Sequence, residues 1–142
     1  MYNETLEKEV FSSQNLTTGD VGTFTPTVPV EIVEFGVVVT TAFAASDNFI
    51  LAADRRITAG SDTGRGDGDA GTLTIAAAST AAVVAGDVVI SRPATKLLVY
   101  PGQQVVLEVT NGNASGVGLP FINYRYVATA DRASTILNAV AS

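Results

Sequence analysis

The side chains that could do chemistry in this 142-residue chain form a narrow set: 14 carboxylates, eight Lys and Arg, the hydroxyls and four tyrosines, with no His, Cys or Trp. Without His there is no Ser-His-Asp triad, no zincin motif and no imidazole proton shuttle near neutral pH. Without Cys there is no disulfide framework, thiol nucleophile, iron–sulfur cluster or zinc ribbon. A pair of carboxylates flanking a glycosidic bond is the catalytic device that remains. Glu31 and Glu34 come nearest to one, but three residues apart on an expected strand they face opposite sides and cannot pair. Asp54 beside Arg55 and Arg56 reads as a surface charge cluster. No residue set is assigned a catalytic role, and no cofactor, metal or small-molecule substrate is expected.

The glycine-rich stretch carries motif matches that fail on context. Gly66-Asp67-Gly68-Asp69-Ala70-Gly71 spells G-x-G-x-x-G. A dinucleotide site needs a helix N-terminus next, whereas Thr72-Leu73-Thr74-Ile75 reads as a strand, and two aspartates would oppose the phosphates. Asp62, Asp67 and Asp69 supply too few oxygens for calcium, and Arg65 sits among them. Arg65-Gly66-Asp67 is an integrin-type tripeptide, too short to carry meaning alone. Gly60 to Gly71 is expected as a solvated loop.

The positioning elements must come from a chain that is 46% hydrophobic and 15% charged, with a mean hydropathy of +0.31. That composition forms a core, and the length suits one domain. A net charge of −6 and a pI near 4.4 argue against nucleic acid or an anionic membrane as partner. The acidic start lacks the regions of a signal peptide, and the charge-free run Ala70 to Gly86 is shorter than the ~20 residues of a membrane helix. Synthesis in the cytoplasm is therefore expected, with the sequons at Asn3, Asn15 and Asn113 as chance matches.

From Val30 the pattern is β. Val33, Phe35, Val37 and Val39 alternate, as do Val105, Leu107 and Val109, and Ile122, Tyr124 and Tyr126. Shorter strands are expected around Phe49–Ile57, Leu73–Ile75, Val84–Ile90 and Lys96–Tyr100, with Pro101-Gly102 at the centre of a type II turn. Ala76 to Ala85 leaves a helical turn open. The pattern predicts an all-β sandwich or barrel over residues 30–128. Residues 129–142 form a tail or a short helix with Asp131 as cap and Ala133, Ile136, Leu137 and Val140 on one face. Residues 1–29 sustain neither period, and two readings stand: a frayed terminus, or an extended arm. As an arm, it would anchor on a neighbouring subunit through Leu6, Val10, Phe11, Leu16 and Phe24.

An irregular N-terminal segment leads into a Cys-free domain of Val/Thr/Ala strands. That domain holds Thr95-Lys96-Leu97-Leu98-Val99-Tyr100-Pro101-Gly102-Gln103-Gln104-Val105-Val106-Leu107-Glu108-Val109-Thr110 and then Pro120-Phe121-Ile122-Asn123-Tyr124-Arg125-Tyr126-Val127. In this architecture and texture, over residues 1–128, the chain resembles the jelly-roll decoration (cement) proteins on the heads of tailed bacteriophages. The resemblance implies a jelly-roll-like β-sandwich, a homotrimer, the major capsid protein as partner, a place on the capsid surface of the virion, and no enzymatic activity. Asp131 to Ser142 would be an addition to that pattern. Two other classes stay open at this point. One is a recognition module of a phage tail, neck or fibre, binding host glycan through Tyr124 and Tyr126. The other is a carboxylate-dependent hydrolase.

Overall fold

Alternating β-branched and aromatic residues produce the long strands that organise the chain, because such side chains pack well on a pleated surface. Residues 5–56 and 68–127 are described, in a computed structural model. The strands are β1 (Glu7–Val10), β2 (Gln14–Asn15), β3 (Gly19–Phe24), β4 (Val30–Thr41), β5 (Phe49–Arg56), β6 (Gly68–Ile75), β7 (Val88–Ser91), β8 (Leu97–Val99), β9 (Gln104–Asn111) and β10 (Val117–Tyr126). A 3-10 helix spans Ala77–Ala82, so the alanine-rich stretch does supply a helical turn.

Two antiparallel sheets face each other. The larger has the order β1-β10-β4-β7, with β2 also on β10 and β8 also on β4; the smaller has the order β3-β9-β5-β6. The pairs β1–β10, β3–β9, β4–β7 and β5–β6 are nested, outermost with outermost and innermost with innermost. That is one long hairpin wound around a core, the jelly-roll pattern, and the fold is a jelly-roll-like β-sandwich. Phe35, Val37, Phe49, Leu51, Leu107 and Ile122 are fully buried between the sheets. Arg55 closes one end by donating from Nη1 to the Leu98 carbonyl of the facing sheet at 3.0 Å.

The N-terminal segment departs from its expected form. Over its described part it is woven into both sheets rather than extended as an arm: β1 and β2 pair with β10, and β3 pairs with β9. Leu16 and Val21 join the core at 0% and 5% exposure. Strands this short and mixed do not show a period, yet each bonds to a long partner that supplies the register.

A bulge corrects a second expectation. The β4–β10 register passes from Glu34↔Asn123 to Ile32↔Tyr124, leaving Val33 as an extra residue. The phase of β4 therefore flips, Val33 is half-buried, and Ile32 enters the core at 2% exposure. Glu31 and Glu34 consequently lie on the same outer face. Gly36 opposite β7 is required by close approach, since a Cβ there would collide with the Val89 carbonyl oxygen. Gly102 has φ +94°, and Gln103 N donates to Tyr100 O at 2.9 Å, as the expected type II turn demands.

Asn113 is a buried hub at 1% exposure. Its Oδ1 accepts from the backbone N–H groups of Ala44, Ser115 and Gly116, and its Nδ2 donates to Ala44 O and Ser46 Oγ, both at 2.8 Å. The expected C-terminal helix lies outside the described residues, as do Asn3, Asp62, Arg65 and Asp67.

Candidate interaction face

Directly opposed residues in an antiparallel pair share a face, so the register shows what the larger sheet presents outward. One rung carries Val10, Phe121, Gly36 and Ile90 across β1, β10, β4 and β7. The rung beside it carries Leu119, Val38 and Val88. Val10, Val88 and Ile90 are 49%, 53% and 48% exposed, while Leu119 and Val38 are half-buried. Phe121 is closed to solvent, with Lys8 Nζ 4.9 Å from its ring centroid.

The other half of this face is polar and largely paired within the chain. Asn123 Nδ2 donates to Glu34 Oε1 at 2.7 Å, and Arg92 reaches Glu34 at 3.3 Å. Arg125 donates to Glu31 Oε1 from Nε at 3.0 Å and from Nη2 at 2.8 Å. The two glutamates therefore do share a face, yet each is held by its own cation. Neither is arranged as an acid beside a base.

The smaller sheet presents the reverse. Asp54 and Arg56, expected as a surface cluster, are 4% and 3% exposed. Arg56 donates from Nε to Asp54 at 2.9 Å and grips Asp20 with Nη1 and Nη2 at 3.0 and 3.2 Å, with Glu108 at 3.8 Å. These hydrogen bonds to Asp20 and Asp54 raise the guanidinium pKa against the opposing effect of burial. The cluster is a closed structural network.

Tyr124 packs on Phe24 with ring centroids 4.7 Å apart and meets Tyr126 edge-on at 5.7 Å. Burial first, then the neighbouring Tyr126 hydroxyl and the charges of Glu7 and Glu9, push the Tyr124 phenol up to about 12. The depression beside them, about 110 Å³, is walled by Phe24, Pro26 and Val28. Tyr124 is engaged in packing, so of the two expected glycan contacts Tyr126, 37% exposed, keeps the more open ring.

The five expected anchors separate into three groups. Leu16 is core, so it cannot reach a neighbour. Phe11 and Phe24 are partly buried against the core, Phe11 lying over Gly22. Leu6 and Val10 remain outward at 47% and 49%. Sequence reasoning missed Val38, Val88, Ile90 and Leu119 as one surface, because their common face is set by register between strands distant in the chain. Among the described residues no group of His, Cys, Asp and Glu could hold a metal ion, and no helix is long and apolar enough to cross a membrane.

No family model and no curated protein matches the chain. A solved structure, that of Eiger TNF from S. frugiperda, is similar over 89% of this chain and 88% of that chain, with a TM-score of 0.44 and 14% identity.

Proposed function

We propose that this chain is a structural, non-enzymatic virion protein that decorates an icosahedral phage capsid as a homotrimer, bridging major capsid subunits on the outer surface. The observation that carries the reading is the pair of outward apolar rungs on the larger sheet, with Val10, Val88 and Ile90 about half exposed. Contiguous apolar surface of this kind marks an interaction site more often than a solvated face. The anchors thereby move from an N-terminal arm to a rigid sheet that docks on a sister subunit of the trimer, whose avidity shell binding requires, and Val10 belongs to both descriptions. A rigid surface loses little conformational entropy on docking, which favours a clamp over a folding arm.

Stabilisation then follows from linkage: a protein that binds only the assembled, expanded shell stabilises it by mass action. Many copies, each touching more than one shell subunit, add avidity. Co-sedimentation with expanded shells of the cognate virus tests this. Wild-type protein should pellet with shells and raise their rupture temperature, whereas Val88→Lys should stay in the supernatant. Equal pelleting by both proteins, or by neither, would overturn the proposal.

A further inference from the structure

At the polar end of the same face the edge of β4 is interrupted. β7 pairs with β4 as far as Phe35↔Ser91, and β8 resumes at Ile32↔Leu97. Val33 and Glu34 therefore have no edge partner in register, and the chain from Arg92 to Lys96 runs between the two pairings with the Pro93 backbone close against Gly71 of β6. The result is a cleft of about 330 Å³ lined by Glu31, Val33, Arg92, Pro93, Ala94, Thr95, Lys96 and Arg125 among others. That volume lies within the range of small-ligand sites.

Its charge is unlike that of the chain. Three of the eight cations, Arg92, Lys96 and Arg125, converge here in a molecule of net charge −6. Arg125 is engaged by Glu31, and Arg92 touches Glu34 while its side chain stays 76% exposed. Lys96 is exposed and has no carboxylate partner among the described residues. Among the described residues the cleft and its ion pairs bring together three cations and two carboxylates, a surplus of one positive charge, beside an apolar wall of Val33, Pro93 and Ala94 and the hydroxyl of Thr95.

We propose that this cleft binds a single carboxylate side chain presented by an extended peptide segment of a partner protein, with apolar residues on either side of the acid. One net charge suits a monoanion. A phosphodiester backbone would bring repeated negative charge against Glu31, Glu34 and the acidic chain as a whole. The wall takes the flanking apolar residues, and Arg92 and Lys96 hold the acid by charge-assisted hydrogen bonds. The site is separate from the apolar rungs, so it stands or falls independently of capsid decoration.

Amide chemical-shift mapping of the whole chain tests the proposal, with the synthetic peptide Ser-Val-Glu-Val-Ser as probe and Ser-Val-Gln-Val-Ser as its neutral counterpart. The expected result is shifts at Val33, Thr95, Lys96 and Arg125 with the Glu peptide only. Arg92→Ala combined with Lys96→Ala should weaken binding by at least about tenfold while leaving the rest of the spectrum in place, since both side chains are exposed. Lys8→Ala should bind as wild type. Shifts absent at millimolar peptide, equal binding of the Gln peptide, or unchanged affinity in the double variant would overturn it. So would inorganic phosphate competing on equal terms, which would mark a site for free anions. Failure of the wild-type chain to pellet with shells while it still binds the Glu peptide would count against the capsid reading alone.

Discussion

On the outer side of the smaller sheet, Arg56 is 3% exposed and bonded to Asp54 and Asp20; on the outer side of the larger sheet, Val88 and Ile90 stand 53% and 48% exposed. Both faces belong to antiparallel strands of one wound hairpin. On the first, charged groups have been withdrawn from water and satisfied by one another. On the second, apolar groups have been left in water. Folding alone would favour the opposite assignment, since exposed valine gains nothing and a buried ion pair often contributes less than apolar packing. The smaller sheet's outer face is satisfied within the chain, whereas the larger sheet's outer face leaves Val10, Val88 and Ile90 about half exposed, which is the ground for the proposed association.

That contrast breaks first at the N-terminal strands. Deleting residues 5–25 should abolish folding, because it removes β1, β2 and β3 together with Leu16; a folded truncation by circular dichroism would restore the arm. Arg56→Met should cost about 3–5 kcal/mol in urea unfolding, since Asp54 would remain buried without its guanidinium. A loss below ~1 kcal/mol would make the cluster an ordinary surface one. Leu16→Ala should cost about 2–5 kcal/mol by leaving a cavity in the core.

A smaller effect is expected from Tyr124, whose phenol is raised from 10.0 to about 12. Between those values the unfolded chain has lost the proton and the native state keeps it. Tyr124 therefore contributes stability that is full below pH 10 and is lost as pH rises towards about 12. Tyr124→Phe should flatten that alkaline decline, measured by denaturant titration at stepped pH. The smallest effect on the protomer is expected at Ile90→Ser, within about 0.5 kcal/mol, because this side chain meets water rather than the core.

Much of the fold was legible in the sequence. Val105, Leu107 and Val109 are inward in β9 as their alternation requires, and Pro101-Gly102 makes its turn. What failed did so through long-range register. Nothing local marks Val33 as a bulge, so Glu31 and Glu34 were placed on opposite faces when β10 puts them on one. Leu16 looked isolated because its packing partners lie far along the chain. Asp54 and Arg56 read as surface charges because Asp20, their third member, sits on Gly19–Phe24, whose Gly-Asp-Val-Gly-Thr-Phe carries no apolar alternation. Asn113 gives no signal at all: its five partners are backbone and side-chain groups brought together by loops. The interaction face was half visible through Val10, and the rest needed β4, β7 and β10 to be aligned.

The two apolar rungs are proposed to be covered by association between copies of the chain. Light scattering of the wild-type chain beside Val88→Lys and Ile90→Lys measures it most directly, with melting temperatures recorded across a concentration series. Wild type should run at the mass of a trimer and melt at higher temperature as concentration rises, as association requires. Each variant should run as a folded monomer with a melting temperature independent of concentration. A wild-type monomer, or variants that keep the wild-type mass, would contradict the account.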